Sequence, residues 1–190
     1  GKKDGINITY HIEDSQKTIT VFTTRPDTNF GATFIALAPE HPLIEKILKQ
    51  VQDDNLKKKI EEYVEEATSK SEIERAAEGK EKTGVFTGAY AINQLTGQSM
   101  PIWISDFVLA GFGTGALVGV PGHDKRDFEF ARKFKLNIKR VVVGRDGDQS
   151  MIKDIEQVQE ETGTMINSEF LNGMDIHDAT EKIIGYMEEK

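Results

Sequence analysis

The first residues alternate: Ile6 and Ile8 oppose Asn7 and Thr9. After a turn at Asp14-Ser15, Ile19 and Val21 oppose Thr18, Thr20 and Phe22. A period of two with one apolar face predicts an antiparallel hairpin. The hairpin runs into Thr23-Thr24-Arg25-Pro26-Asp27-Thr28, where Pro26 has no N–H to offer a ladder and forces a turn. Phe34 to Ala38 is wholly apolar, the pattern of a short buried strand. From Pro42 the period becomes helical. Leu43, Ile44, Ile47, Leu48 and Val51 form one stripe; Leu56, Ile60, Tyr63, Val64 and Ala67 form a second. Lys57 to Lys59 with Glu61, Glu62, Glu65 and Glu66 read as the solvated face of that second helix. Residues 68–82 are polar and expected to be mobile. Strands are expected at Gly84–Ala91, Met100–Ile104, Phe107–Leu109, Ala116–Val120 and Ile138–Val143, with turns at Asn93–Gly97 and Asp146-Gly147-Asp148. A helix from Asp124 to Lys135 buries Phe128, Ala131 and Phe134. Another, from Asp175 to Glu188, carries Ile176, Ala179, Ile183, Ile184 and Met187. Antiparallel strands with grouped helices predict an α+β fold, a closed or nearly closed sheet with helical insertions.

At 190 residues the chain reads as a single domain, 1–190, with a helical insertion at 42–82. A chain of this size buries roughly 70% of the surface it exposes unfolded, so it needs no covalent staple. There are no cysteines, which excludes disulfides, a thiolate nucleophile and Cys-ligated metal. No apolar run approaches the ~20 residues a membrane span needs. Gly1-Lys2-Lys3-Asp4 leads into a polar strand and not into a signal-peptide core, and a first residue other than Met reads as a piece of a longer protein. A cytoplasmic location is the expectation. The net charge of −8 argues against tight non-specific nucleic-acid binding, so any nucleic acid must meet a local site or be presented by another part of a larger protein.

The chain has no G-x-S-x-G elbow, no H-E-x-x-H and no P-loop, and His11, His41, His123 and His177 are scattered. Gly111-x-Gly113-x-Gly115 looks like a nucleotide fingerprint, but the strand-like Ala116-Leu117-Val118-Gly119-Val120 follows it where a helix should open. A glycine-dependent hairpin turn is the better reading. Asp124 sits at a helix N-cap and Asp127 at the third helical position, where carboxylates satisfy orphan N–H groups and the helix dipole. With His123 they also fit a metal site, and Val120-Pro121-Gly122 places them at a strand end, where a substrate-anchoring carboxylate fits too. The Thr-rich turn is similarly double: its side chains suit backbone hydrogen bonds, and equally a site that positions a water and an ester.

Several of these segments together resemble the editing domain of the leucyl-tRNA synthetase family, bacterial type. They are Thr23 to Thr28, Phe30-Gly31-Ala32-Thr33, Leu37-Ala38-Pro39-Glu40-His41-Pro42, Thr83-Gly84-Val85-Phe86-Thr87-Gly88, Pro101 to Leu109, and Gly111 to Asp127 ending Val120-Pro121-Gly122-His123-Asp124-Lys125-Arg126-Asp127. The isoleucyl and valyl families share a cruder Thr-rich motif. The synthetase's ATP-binding signatures, H-I-G-H and K-M-S-K-S, are missing from this chain. The resemblance implies an inserted domain with a distorted closed β-barrel core and surrounding helices. It also implies hydrolysis of the ester joining a wrong amino acid (isoleucine, norvaline or methionine) to the terminal adenosine of tRNA(Leu), with leucine spared. Its partners would be mischarged tRNA and the rest of the synthetase, with no membrane. No metal or cofactor is implied in this domain; ATP and Mg belong to the complete synthetase. The known rationale for such second sieves is that one methylene gives only ~1–3 kcal/mol of discrimination.

By matched position the resemblance implies that Asp127 holds the substrate's α-ammonium, fixing any amino acid by a charge-assisted bond. Thr28 would crowd the branch of leucine with its γ-methyl, and Val120 would add to the amino-acid wall. Thr23 and Thr24 would position the attacking water and carbonyl. Arg25 and Arg126 would serve the tRNA 3′ end, with Phe112, Leu109 and Val118 walling the adenosine. No strong base is evident, so catalysis is expected to be positional and assisted by the ribose hydroxyl. Asn29 stands where the family usually has Leu, Phe112 where Tyr is common, and Val118 where Met is common. The alternative is a tRNA-contact domain that has lost editing.

Overall fold

The structure, a computed structural model, describes residues 5–160 and 162–188; the expected lead-in Gly1–Asp4 lies outside them. The chain forms two compact units that interleave in sequence. Among the described residues, one comprises 5–6, 23–33, 119–160 and 162–188, the other 7–22 and 34–118.

The second unit is built on six strands: β1 (Ile6–Ile12), β2 (Thr18–Thr23), β3 (Phe34–Leu37), β4 (Val85–Ile92), β5 (Ser99–Ile104) and β6 (Ala116–Gly119). Their order is β2-β1-β4-β5-β3-β6. The hairpin alternation holds: Ile8, Tyr10, Ile12, Ile19 and Val21 are buried, and their neighbours are not. β3 is buried at every residue, as an apolar run requires, yet it pairs parallel to β5 with Ile35 opposite Ile102. The period could not show that direction. The turn before β6 reaches β2, where Thr114 Oγ1 donates to the Thr20 carbonyl at 2.7 Å, so the sheet is nearly closed. The mixed α+β architecture expected from the sequence is the observed one.

β4 carries a bulge. Its register against β5 shifts between Phe86 and Tyr90, where Gly88 sits at φ +80°. Thr87 Oγ1 fills the gap by donating to the Ile102 carbonyl at 2.7 Å. A left-handed residue at that bend favours glycine.

Helices α1 (Leu43–Gln50) and α2 (Asp54–Thr68) follow β3, with the Asp53 side chain capping α2. The segment expected to be mobile instead contains a short helix, α3 (Glu72–Ala76), capped by Ser71. Arg75 on α3 is 6% exposed. Its guanidinium donates to the carbonyls of Asp106 (3.0 Å) and Val108 (2.9 Å) and pairs with Glu40 at 2.7 Å. Lys80 meets the Asp106 carboxylate at 2.8 Å, and the Tyr63 hydroxyl accepts the Asp106 N–H. These side chains take the backbone groups a ladder would use, so 107–109 forms a turn and not the expected strand. We expect Arg75→Met to lower the unfolding free energy in urea by about 2 kcal/mol or more, because two carbonyls lose their donor. Arg75→Lys should recover only part of it, since an ammonium cannot fork.

The first unit holds α4 (Lys125–Phe134), β7 (Val142–Val143), β8 (Thr164–Met165) and α5 (Ile176–Glu188). The strand expected over 138–143 shrinks to β7, which pairs antiparallel with β8. The reason is a partner distant in sequence: the Val141 N–H goes to the His123 ring, and the Lys139 carbonyl lies against Gly122. The core of this unit is Phe30, Phe130, Val141, Met165, Leu171, Ala179 and Ile183. No helix among the described residues is long and apolar enough to cross a membrane.

Candidate active site

The Thr-rich segment leaves β2 and becomes a 3-10 turn, Pro26–Gly31, with every residue buried. Pro26 sets φ at the start of the turn, where its missing N–H is harmless. Arg25 builds the entry. Its Nε and terminal nitrogen fork onto Asp27 at 3.0 and 2.9 Å, and its other terminal nitrogen donates to the Glu160 carbonyl at 3.0 Å. Thr23 Oγ1 accepts the Arg25 N–H at 3.0 Å, which leaves the hydroxyl proton of Thr23 available for donation elsewhere. Thr28 is 2% exposed, and its hydroxyl donates to the Arg25 carbonyl at 2.8 Å. Tying the hydroxyl back holds the rotamer, so the γ-methyl has a set direction. Thr24 is half-buried, and the buried Asn29 accepts the Ala32 N–H at its carbonyl. The turn is held from behind by α5 and its lead-in: Phe30 packs edge-on to Phe170, and Phe170 lies against Tyr186.

The second segment ends at α4. Asp124 is the N-cap, accepting the Asp127 N–H at 3.0 Å, as its position predicted. The Asp127 carboxylate is buried and accepts the Val120 N–H at 2.9 Å. Burial first, and then the neighbouring Asp124 carboxylate, push its pKa well above the usual range. Arg126 extends outward, its side chain 74% exposed, with a long contact to Asp124.

His123 is the residue whose role the sequence left open. Its Nδ1–H donates to the Gln159 carbonyl at 2.7 Å, and its Nε2 accepts the N–H groups of Val141 and Val142 at 2.9 and 3.2 Å. Both nitrogens are engaged by backbone, which makes the ring a neutral pin between segments and not a base. Burial lowers its pKa to about 4. Protonation would aim an N–H at two other N–H groups. The unfolded chain therefore takes up this proton first, and stability should fall as pH drops from about 6.5 toward 4, by about 3 kcal/mol if His123 acted alone. His123→Gln should flatten this part of a melting-temperature profile.

Gly122 is required by close approach: a Cβ there would lie 2.4 Å from the Lys139 carbonyl oxygen. Glu160, a residue the sequence did not single out, links the two segments. Its carbonyl takes Arg25, while its carboxylate accepts the Lys125 N–H at 3.3 Å. The charges of Arg25 and Asp27 are felt at His123. Thus Thr23, Thr24, Arg25, Thr28, Val120, Arg126 and Asp127 belong to one unit; Glu160 ties its two motif segments together, and His123 pins the second of them to the neighbouring Gln159. Leu109, Phe112 and Val118 belong to the other unit. There Leu109 and Val118 are half-buried and Phe112 is 80% exposed.

The arrangement offers a buried carboxyl group, a hydroxyl proton and a methyl of fixed direction. Residues 1–188 match a family model described as "Leucyl-tRNA synthetase, editing domain". Among solved structures, the chain is similar to the crystal structure of the ternary complex of Agrobacterium radiobacter K84 agnB2 LeuRS-tRNA-LeuAMS. The identity is 37% and the TM-score 0.62 over 72% of this chain, and the match spans 16% of that one.

Proposed function

Because the chain belongs to the leucyl-tRNA synthetase editing-domain family, we propose that it hydrolyses the ester of mischarged tRNA(Leu), clearing isoleucine, norvaline or methionine and sparing leucine. The observation that carries the reading is Asp127, a buried carboxylate pushed up by burial and by Asp124. Such a group gains most from a cation, and the α-ammonium of an aminoacyl ester is one that every amino acid presents. With Asp127 holding the ammonium, the side chain is directed by elimination toward the part of the site that must discriminate. Thr28 and Val120 form that part. The Thr23 hydroxyl donates to the ester carbonyl as negative charge develops on it, and Thr24 orients water. Asp127 is occupied by the substrate, so the ribose hydroxyl assists the proton transfer. An ester is activated enough for orientation to supply most of the rate.

Arg126 and Arg25 are proposed to meet the tRNA end, Arg25 while also building the turn through Asp27. Leu109, Phe112 and Val118 are proposed to wall the adenosine. The net charge of −8 implies that most tRNA affinity comes from the rest of a synthetase. The test is deacylation of Ile-tRNA(Leu) and Leu-tRNA(Leu) by the full-length protein. Selective loss of the isoleucyl ester supports editing. Two intact esters would support a tRNA-contact domain without hydrolysis.

A further inference from the structure

β2 points Ile19 and Val21 inward and leaves Phe22 on the outer face, 42% exposed, at a position where the same strand otherwise places Thr18 and Thr20. The turn carrying Phe112 backs onto it. Gly113, at φ +55°, approaches so closely that a Cβ there would lie 2.9 Å from the Phe22 Cβ. Thr114 fastens this turn to β2 through the Thr20 carbonyl. Two exposed rings therefore sit in one unit on a turn and strand held in fixed relation, and Phe22 immediately precedes Thr23 in the chain.

We propose that Phe22 is a second stacking ring, taking the base that precedes the terminal adenosine of the bound tRNA. The inference rests on the proposed editing function. Every base has a π-face, and stacking on an aromatic side chain is worth about 1–3 kcal/mol per base whatever the sequence. In a chain of net charge −8, flat apolar contact is the means of holding a nucleic-acid end that phosphate attraction supplies poorly. If Phe112 serves the terminal adenosine, the neighbouring ring serves the next base, because successive unstacked bases each need a separate surface. The glycine at 113 keeps a side chain from crowding Phe22.

The experiment uses the full-length protein with tRNA carrying 2-aminopurine at the penultimate position or, separately, at the terminal one. Stacking quenches its fluorescence. Phe22→Ala is expected to abolish quenching at the penultimate position, weaken binding of the 3′ end roughly tenfold and leave terminal quenching in place. Phe22→Trp is expected to keep both. Loss of quenching at both positions, or at neither, would overturn the proposal. So would a changed assembly state with quenching intact, which would make Phe22 a protein contact. Deacylation measured in parallel reports on editing separately. An inactive parent that still shows Phe22-dependent quenching refutes hydrolysis and supports stacking.

Discussion

Asp127→Asn is expected to reduce hydrolysis of a mischarged ester at least about 100-fold while the protein melts no lower than its parent. The substituted side chain keeps an acceptor for the Val120 N–H, so the start of α4 stays tied to the strand end. It lacks the charge that would grip the ammonium. The stability effect has a definite sign. The folded pKa of Asp127 lies above its unfolded value, so its stabilising contribution is complete below the unfolded value, near 3.8, and is lost as pH rises through the folded one. The amide that replaces it does not titrate. The variant should match its parent in melting temperature near pH 4 and exceed it near about pH 8. A fall at the higher pH would mean that the negative charge serves the helix and not a substrate. The same logic sets the pH dependence of binding. KM should fall as Asp127 ionises, until the substrate amine loses its proton near about pH 8.

Thr28→Ser is expected to admit leucine. Serine keeps the hydroxyl that bonds the Arg25 carbonyl and deletes only the methyl. Leu-tRNA(Leu), which the parent spares, should then be hydrolysed at a rate within about tenfold of the isoleucyl ester, since a single methyl is worth about 1–3 kcal/mol. Thr28→Val is the opposite case. It retains a methyl in either branch and gives up the hydroxyl, at a stability loss of about 1 kcal/mol because the Arg25 carbonyl still accepts the Thr28 N–H. It should continue to reject leucine. If Ser and Val variants both spare leucine, Thr28 is a turn-building residue alone. Single-turnover deacylation of both esters separates the cases.

The local code was legible wherever one element decided its own structure. The β1–β2 alternation, the stripes of α1 and α2, the buried run of β3 and the Asp124 cap all follow from neighbours within one turn or pleat. The same holds for the site segments, because Thr23 to Thr28 and Val120 to Asp127 are contiguous in sequence and carry their chemistry in residue type. Prediction failed where distant side chains took over the backbone. Phe107–Leu109 has a strand's composition, but Arg75 occupies the Val108 carbonyl and that of the preceding Asp106. Ile138–Val143 has one as well, but His123 takes its N–H groups. A polar stretch with Arg75 in it looks solvated until a partner more than thirty residues away is known.

The sequence by itself determined the fold class, the family and the two segments that carry the candidate site. Periodicity, caps and motif spacing are properties of neighbouring residues. Tertiary structure alone decided that His123 is a neutral pin, that Glu160 joins the segments, that β3 runs parallel to β5, and that Asp127 is raised in pKa. Each of these depends on burial or on a partner far along the chain. Burial sets the cost of charge, and a hydrogen bond belongs to whichever group folding brings within reach.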